Sequence, residues 1–201
     1  MTGIRKFLMP LAAMATLAAC APGFEARVAR FQQMPAPAAS QSFVIEPRDK
    51  DNVGGLEFGT YANLVRQRLL ASGYTEAVTP EQAALVVMLD YTVGPPREQV
   101  RSRPGWGGMG GWGGGWGGGP DVYSVTQYNS TVALKIMRTA DKTSVFEGRA
   151  ETVSNSNNLT QIVPNLVTAI FTNFPGNSGE TVRVKFDPAR PDVAPTIKPG
   201  R

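Results

Sequence analysis

The chain has 201 residues, with one cysteine, Cys20, and no histidine. Those two counts decide most of what its side chains can do. Without imidazole, Ser124, Ser130 and Ser144 have no histidine base to activate them, and no histidine can ligate a metal. A lone thiol excludes an intrachain disulfide and every cysteine-rich zinc site. Carboxylates remain. Glu147 and Glu151 share a strand face, but Arg149 stands between them, which reads as a solvated, charged surface and not as an acid–base pair in a cleft. Asp90-Tyr91 closes an apolar run and reads as a polar strand end. Asn129-Ser130-Thr131 and Asn158-Leu159-Thr160 fit the glycosylation sequon. The expectation is therefore no catalytic residue and no metal ligand.

Cys20 itself is placed for chemistry. Arg5 and Lys6 form a short cationic start, and Phe7 to Ala19 is an apolar run of thirteen residues. A membrane-spanning helix needs about 20 such residues, so the run is too short to cross. A positive start, a short apolar stretch and small residues at its end describe a secretory signal. The ending Leu17-Ala18-Ala19-Cys20 resembles the lipobox of bacterial lipoproteins, in which cleavage falls between the positions of Ala19 and Cys20. The resemblance implies a diacylglycerol on the Cys20 sulfur and an acyl chain on the new amino terminus. One chain binds a bilayer only marginally, whereas two or three, at about 0.8 kcal/mol per buried CH₂, hold persistently. Ala21 follows, and the same resemblance implies that a residue other than Asp there sends the protein to the outer membrane, on its periplasmic face.

Charge adds little to this. The formal net charge is +4. Cleavage after Ala19 would remove Arg5 and Lys6 and leave 18 basic side chains against 16 acidic ones, a net +2. No nucleic-acid partner is expected from such a balance.

All three tryptophans, Trp106, Trp112 and Trp116, fall in the stretch Gly105 to Gly119, where eleven of fifteen residues are glycine. Glycine loses more backbone entropy on ordering than any other residue, so a mobile loop between two strands is expected. Indoles favour membrane interfaces and stack on sugars. Arg97, Arg101 and Arg103, just upstream, suit anionic lipid or phosphate. Gly-rich insertions also serve as plain linkers. The three tryptophans stand as candidate membrane or glycan contacts.

The rest of the chain must supply a scaffold. Phe24 to Ala29 alternates like a strand or belongs to a tether that runs to Gln41, and Ser42 to Pro47 is a second short strand; together they could form a loose hairpin. Leu56 to Ser72 reads as a helix with Leu56, Tyr61, Leu64, Val65 and Leu69 on its apolar side and Gly73 as its stop. Thr79 to Gln82 reads as a capped helical turn with Pro80 at its first position. Ala84 to Val93 is a strand apolar enough for a central place. Val122 to Met137 and Val145 to Val153 read as a strand pair turned at Thr139–Thr143. Leu159 to Phe174 carries the clearest helical periodicity, capped by Asn157 or Asn158, with Pro164 expected to kink or delay it. Thr181 to Phe186 is expected as an edge strand guarded by Arg183 and Lys185. Asp187 to Arg201 holds four prolines and reads as disordered. The expected fold is α+β in two layers, a mostly antiparallel sheet with two amphipathic helices on one face. The expected organisation is a signal peptide over 1–19, a lipidated cysteine and tether over 20–41, a periplasmic domain over 42–186 and a tail over 187–201.

Several of these segments together resemble the lipoproteins of the domain of unknown function 4136 family. They are the Cys20 motif, the Ser42–Pro47 strand, the helix through Tyr61 to Tyr74, the strand Ala83 to Tyr91, the Gly/Trp-rich insertion and the late helix ending Ile170 to Pro175. Ala83-Ala84 departs from the Ala-Asp of many relatives. The matching residues are packing residues, so the resemblance implies a fold and a membrane anchor but no catalytic group. The expected function is a non-enzymatic, membrane-anchored envelope module for protein interaction, assembly or maintenance in the periplasm. No cofactor is expected beyond the covalent diacylglycerol and N-acyl chain on Cys20. Expected partners are the membrane, through that anchor, and an envelope protein or glycan. The alternatives are a glycan- or lipid-binding module working through the tryptophans, and a hydrolase using carboxylates alone.

Overall fold

A computed structural model describes residues 23–34, 41–103 and 121–200. In chain order the strands and helices are β1 (Phe24–Gln32), β2 (Ser42–Pro47), α1 (Leu56–Ala71), β3 (Thr75–Glu76), β4 (Leu85–Val93), β5 (Arg97–Arg103), β6 (Asp121–Arg138), β7 (Ser144–Ser154), α2 (Leu159–Phe171), β8 (Glu180–Phe186) and β9 (Thr196–Pro199). One mixed, mostly antiparallel sheet runs β3-β2-β4-β6-β7-β1-β8-β9, and β5 pairs with β6 beyond the end of β4. The architecture is α+β in two layers, as the periodicities indicate.

Two crossovers build it. The parallel strands β2 and β4 are joined through α1, with Val44 opposite Val86. The strands β7 and β8 are joined through α2 and both run antiparallel to β1, which lies between them. Crossover connections of this kind need a helix to cover the sheet, and here both helices cover the same face. Tyr61, Ala62, Val65 and Leu69 of α1 are buried, as are Ile162, Val163, Leu166, Val167, Ala169 and Ile170 of α2. They meet Val28, Phe43, Leu85, Val87, Leu89, Val132, Leu134, Ile136, Phe146, Ala150 and Val184 from the sheet. Each large side chain buried this way contributes about 1.5–3 kcal/mol.

Local chemistry explains the helix ends. Gly73 takes φ +91°, and the Gly73 and Tyr74 amides donate to the carbonyls of Leu70 and Leu69, the paired bonds of a Schellman stop. The Asn158 carboxamide accepts from the Thr160 amide at 3.1 Å and caps α2. Pro164 does not delay that helix, which begins at Leu159, five positions earlier. Its regular span ends at Phe171, so Phe174 packs against the core from the following turn. Pro80–Gln82 is a short helical turn, although the Thr79 side chain makes no capping bond.

Several expectations are corrected. Phe24–Gln32 is neither tether nor half of a hairpin with β2. It is a central strand, because Ala26 and Val28 face the core and both of its edges are paired. The folded unit therefore begins before residue 42. Strand β8 is not an edge, since β1 lies on one side and β9 on the other. Asp187–Arg201 is not disordered over its described part: Ile197 pairs opposite Val184, and the Gly200 amide donates to the Thr181 carbonyl at 2.8 Å. Leu56, placed on the apolar side of α1, is 92% exposed, because the helix enters from solvent before it reaches the sheet. Strand β5 has no counterpart in the sequence reading.

Candidate functional site

Ala19, Cys20, Trp106, Trp112 and Trp116 all lie outside the described residues. The remaining singled-out groups divide between the open face of the sheet and its edges. On the open face, Glu147 receives the Lys135 ammonium at 3.3 Å, and Arg149 holds Glu151 at 2.6 Å. Hydrogen bonds from Ser144 and Lys135 hold the Glu147 carboxyl below the usual carboxylate range. A carboxylate stabilised in its charged form is poorly suited to deliver a proton near neutral pH, so the pair reads as ion-paired surface. Asp90 lies 3.9 Å from Arg48. Ser144 donates to Glu147, Ser124 lies exposed on β6, and Ser130 is fully buried with an unpartnered hydroxyl. Asn158 is occupied in capping α2. Among the described residues no cluster of three or more His, Cys, Asp or Glu side chains could hold a metal ion.

The geometry instead gathers arginines. Register places Thr131, Glu151, Arg27 and Arg183 in one row across β6, β7, β1 and β8. Strand β6 is 18 residues long, and its first part continues past the end of β7 as a two-stranded ribbon with β5. Alternation along that ribbon puts Arg97, Gln99, Arg101, Arg103, Tyr123 and Gln127 on the side continuous with the row of Arg27 and Arg183. A groove of about 630 Å³ lies there, lined among others by Glu25, Arg27, Arg97, Gln127, Glu151 and Arg183. Glu25 is held by Arg183 at 3.2 Å and Glu151 by Arg149. Arg27 and Arg97 have no carboxylate within ion-pair distance among the described residues. At the ribbon's outer end the Arg103 guanidinium lies 5.9 Å from the centre of the Tyr123 ring, within cation–π range. The sequence already marks Arg97, Arg101 and Arg103; what it does not disclose is that Arg27 and Arg183 join them across four strands.

A second polar cluster is structural. Arg30 of β1 is 1% exposed. Its Nη2 donates to the carbonyls of Thr172 at 2.7 Å and Ala169 at 3.2 Å, and its Nη1 to Glu180 Oε1 at 3.0 Å. A helix end carries unpaired carbonyls and the negative pole of the helix dipole, and this guanidinium satisfies both at the end of α2. Burial lowers the Arg30 pKa, while the attraction of Glu180 opposes that fall. Sequence reading misses the residue, yet a signal exists: Ala26, Val28 and Arg30 step by two, which puts a charge on the inward face.

Comparisons with known proteins follow the scaffold more than the site. A PDZ domain protein from Parabacteroides distasonis aligns at 12% identity with a TM-score of 0.51, over 81% of this chain and 38% of that one. This chain thus spans well under half the length of that protein, and the likeness concerns the fold alone. The PelC dodecamer from Paraburkholderia phytofirmans aligns at 11% identity with a TM-score of 0.42, over 72% of this chain and 94% of that one. A search of curated proteins finds no match. The model of the family described as Domain of unknown function (DUF4136) matches residues 28–176, a span that runs from inside β1 to the turn packed over Arg30, and the chain belongs to that family.

Proposed function

We propose that this protein is a non-enzymatic, lipid-anchored envelope module that works by holding a protein partner. In this reading Cys20 carries the diacylglycerol and N-acyl chain, and the domain stands on the periplasmic face of the outer membrane. The observation that carries the interaction role is the ribbon of β5 and β6. Every residue of β5 is exposed, and so are Val122, Tyr123 and Ser124 opposite it. A two-stranded ribbon with no core of its own is marginal in water, and a chain that keeps one outside its sheet has a use for its surface. Val100 and Val122 are 73% and 62% exposed and lie on the same side of the ribbon, away from its arginines. A small apolar site between polar strands suits a protein contact.

The test uses intact envelopes. Palmitate labelling is expected on the native chain and absent from Cys20→Ala, which is expected to shift to the soluble fraction. A photo-cross-linking residue at Val100 or Val122 is expected to give a discrete adduct, with none from the same residue at Lys142 in the β6–β7 turn. Label on the alanine variant would remove the anchor. Identical background from all three positions would remove the partner role.

A further inference from the structure

We infer that the arginine-lined end of the sheet faces the bilayer and binds the phosphates of anionic lipid headgroups. The inference rests on the lipid anchor proposed above and adds an orientation and a contact to it.

The first argument is the length of chain between the anchor and the fold. Gly23 is the residue before β1, and Cys20 lies three peptide units ahead of it. Three units span at most about 11 Å. An acylated Cys20 therefore holds the start of β1 close to the membrane surface. Register decides what else is at that end. Arg27 pairs opposite Glu151 and Gln32 opposite Phe146, so the start of β1 lies beside the end of β7. That end of β7 pairs with β6 at Tyr128, where the ribbon leaves the sheet. The anchor, the groove and the ribbon thus share one end of the molecule.

The second argument is charge. Arg27, Arg97, Arg101 and Arg103 are exposed on the continuous face described above, and Arg27 and Arg97 have no ion-pair partner among the described side chains. At the opposite end of the sheet the cations Lys135 and Arg138 are paired with Glu147 at 3.3 Å and Asp141 at 2.7 Å. The mature chain is close to neutral overall, so four exposed guanidiniums on one face form a local patch at the end nearest the anchor. Guanidinium is the side chain best fitted to phosphate oxygens, because its fork donates two parallel bonds. Each basic residue near an anionic bilayer strengthens binding by roughly fivefold, and salt weakens the effect.

The full mature chain with Cys20→Ser, which cannot be acylated, reads the surface alone. It is expected to co-sediment with vesicles containing phosphatidylglycerol and not with pure phosphatidylcholine vesicles, and to be released by high salt. The variant Arg27→Gln/Arg97→Gln/Arg101→Gln is expected to lose on the order of a hundredfold in vesicle affinity while melting like its parent. Lys135→Gln/Arg138→Gln at the far end is expected to leave affinity unchanged. Equal binding to both vesicle types, or equal loss from the two variants, would overturn the proposal, as would no binding at all. Palmitate labelling is a separate readout. Vesicle binding kept without label removes the anchor and spares the surface, whereas label kept without vesicle binding removes the surface and spares the anchor.

Discussion

Arg30 shows how one side chain can hold two elements in register. Its guanidinium bonds to the final carbonyls of α2 and to Glu180 at the start of β8, so strand, helix and following turn close on the same group. The turn is fitted to it: Gly176 has φ +75°, and a Cβ there would lie 2.6 Å from Arg30 Nη1 and against the Glu180 carboxylate. Arg30→Met is expected to destabilise the fold by about 3 kcal/mol, because it leaves the largely buried Glu180 carboxylate without its cation and the last carbonyls of α2 without their donor. Arg30→Lys is expected to recover little, since an ammonium cannot present the planar fork. Combining Arg30→Met with Glu180→Gln is expected to cost less than the sum of the two single changes. Urea unfolding of the four variants measures all three statements. A change below about 1 kcal/mol for Arg30→Met would mean that the cluster is incidental to stability.

At the scale of elements, the ribbon and the sheet make opposite demands. Strand β5 buries no side chain, so it contributes contact surface and no core. Replacing Arg97–Gln127 by a short glycine-containing turn is expected to leave cooperative unfolding intact, with a melting temperature within about 4 °C of the parent, since about 1 kcal/mol moves a domain of this size by 2–4 °C. Loss of a cooperative transition would instead make the ribbon part of the fold. The same distinction governs what could be read from sequence. Both helices were legible because their apolar stripes are local, as were β4, β6 and β7 from their runs and alternation. Strand order was not. Val28 lies between Ala150 and Val182, each more than a hundred residues away, and no local pattern encodes such a pairing. Arg183 and Lys185 look in sequence like guards of a bare edge, whereas they point to the open polar face of an inner strand. Strand β9 was hidden by its prolines, and β5 by having no apolar face. For the candidate site, Arg97 in the groove and Arg101 and Arg103 farther along the ribbon are visible in sequence, but their sharing a face with Arg27 and Arg183 is a product of strand order.

For the molecule as a whole, composition and burial together set the response to pH. With no histidine, and with its one cysteine outside the described fold, the chain offers little that titrates between about pH 5 and 9. On the acid side, Glu147 is held in its charged form by Ser144 and Lys135, and Asp187 by Arg190 and the Ala189 amide. Their folded pKa values are lowered, so their contribution is present above the usual carboxylate range and is lost as pH falls through the folded values. They are near the surface, and the loss on that side is small. The alkaline side is steeper. Tyr61 is buried where α1 meets the sheet and donates to Glu57 at 3.0 Å, and its ring meets Tyr91 of β4 edge-on with centroids 4.8 Å apart. Burial, the bond to Glu57 and the charge of that carboxylate push the Tyr61 pKa well up; burial also raises Tyr91 and Tyr74. A folded pKa above the unfolded one means stability that is complete below about pH 10 and drains away as pH rises toward the folded value. Stability is therefore expected to be flat from about pH 5 to 9 and to fall above about 10, with the buried Tyr61 and Tyr74 ionising as the helix layer separates from the sheet. Ultraviolet absorbance of tyrosinate, followed together with circular dichroism, tests this. Superimposed transitions for part of the tyrosinate signal and for the helix signal are expected; complete tyrosine ionisation in a chain still folded would show that the α1–β4 contact is open to water.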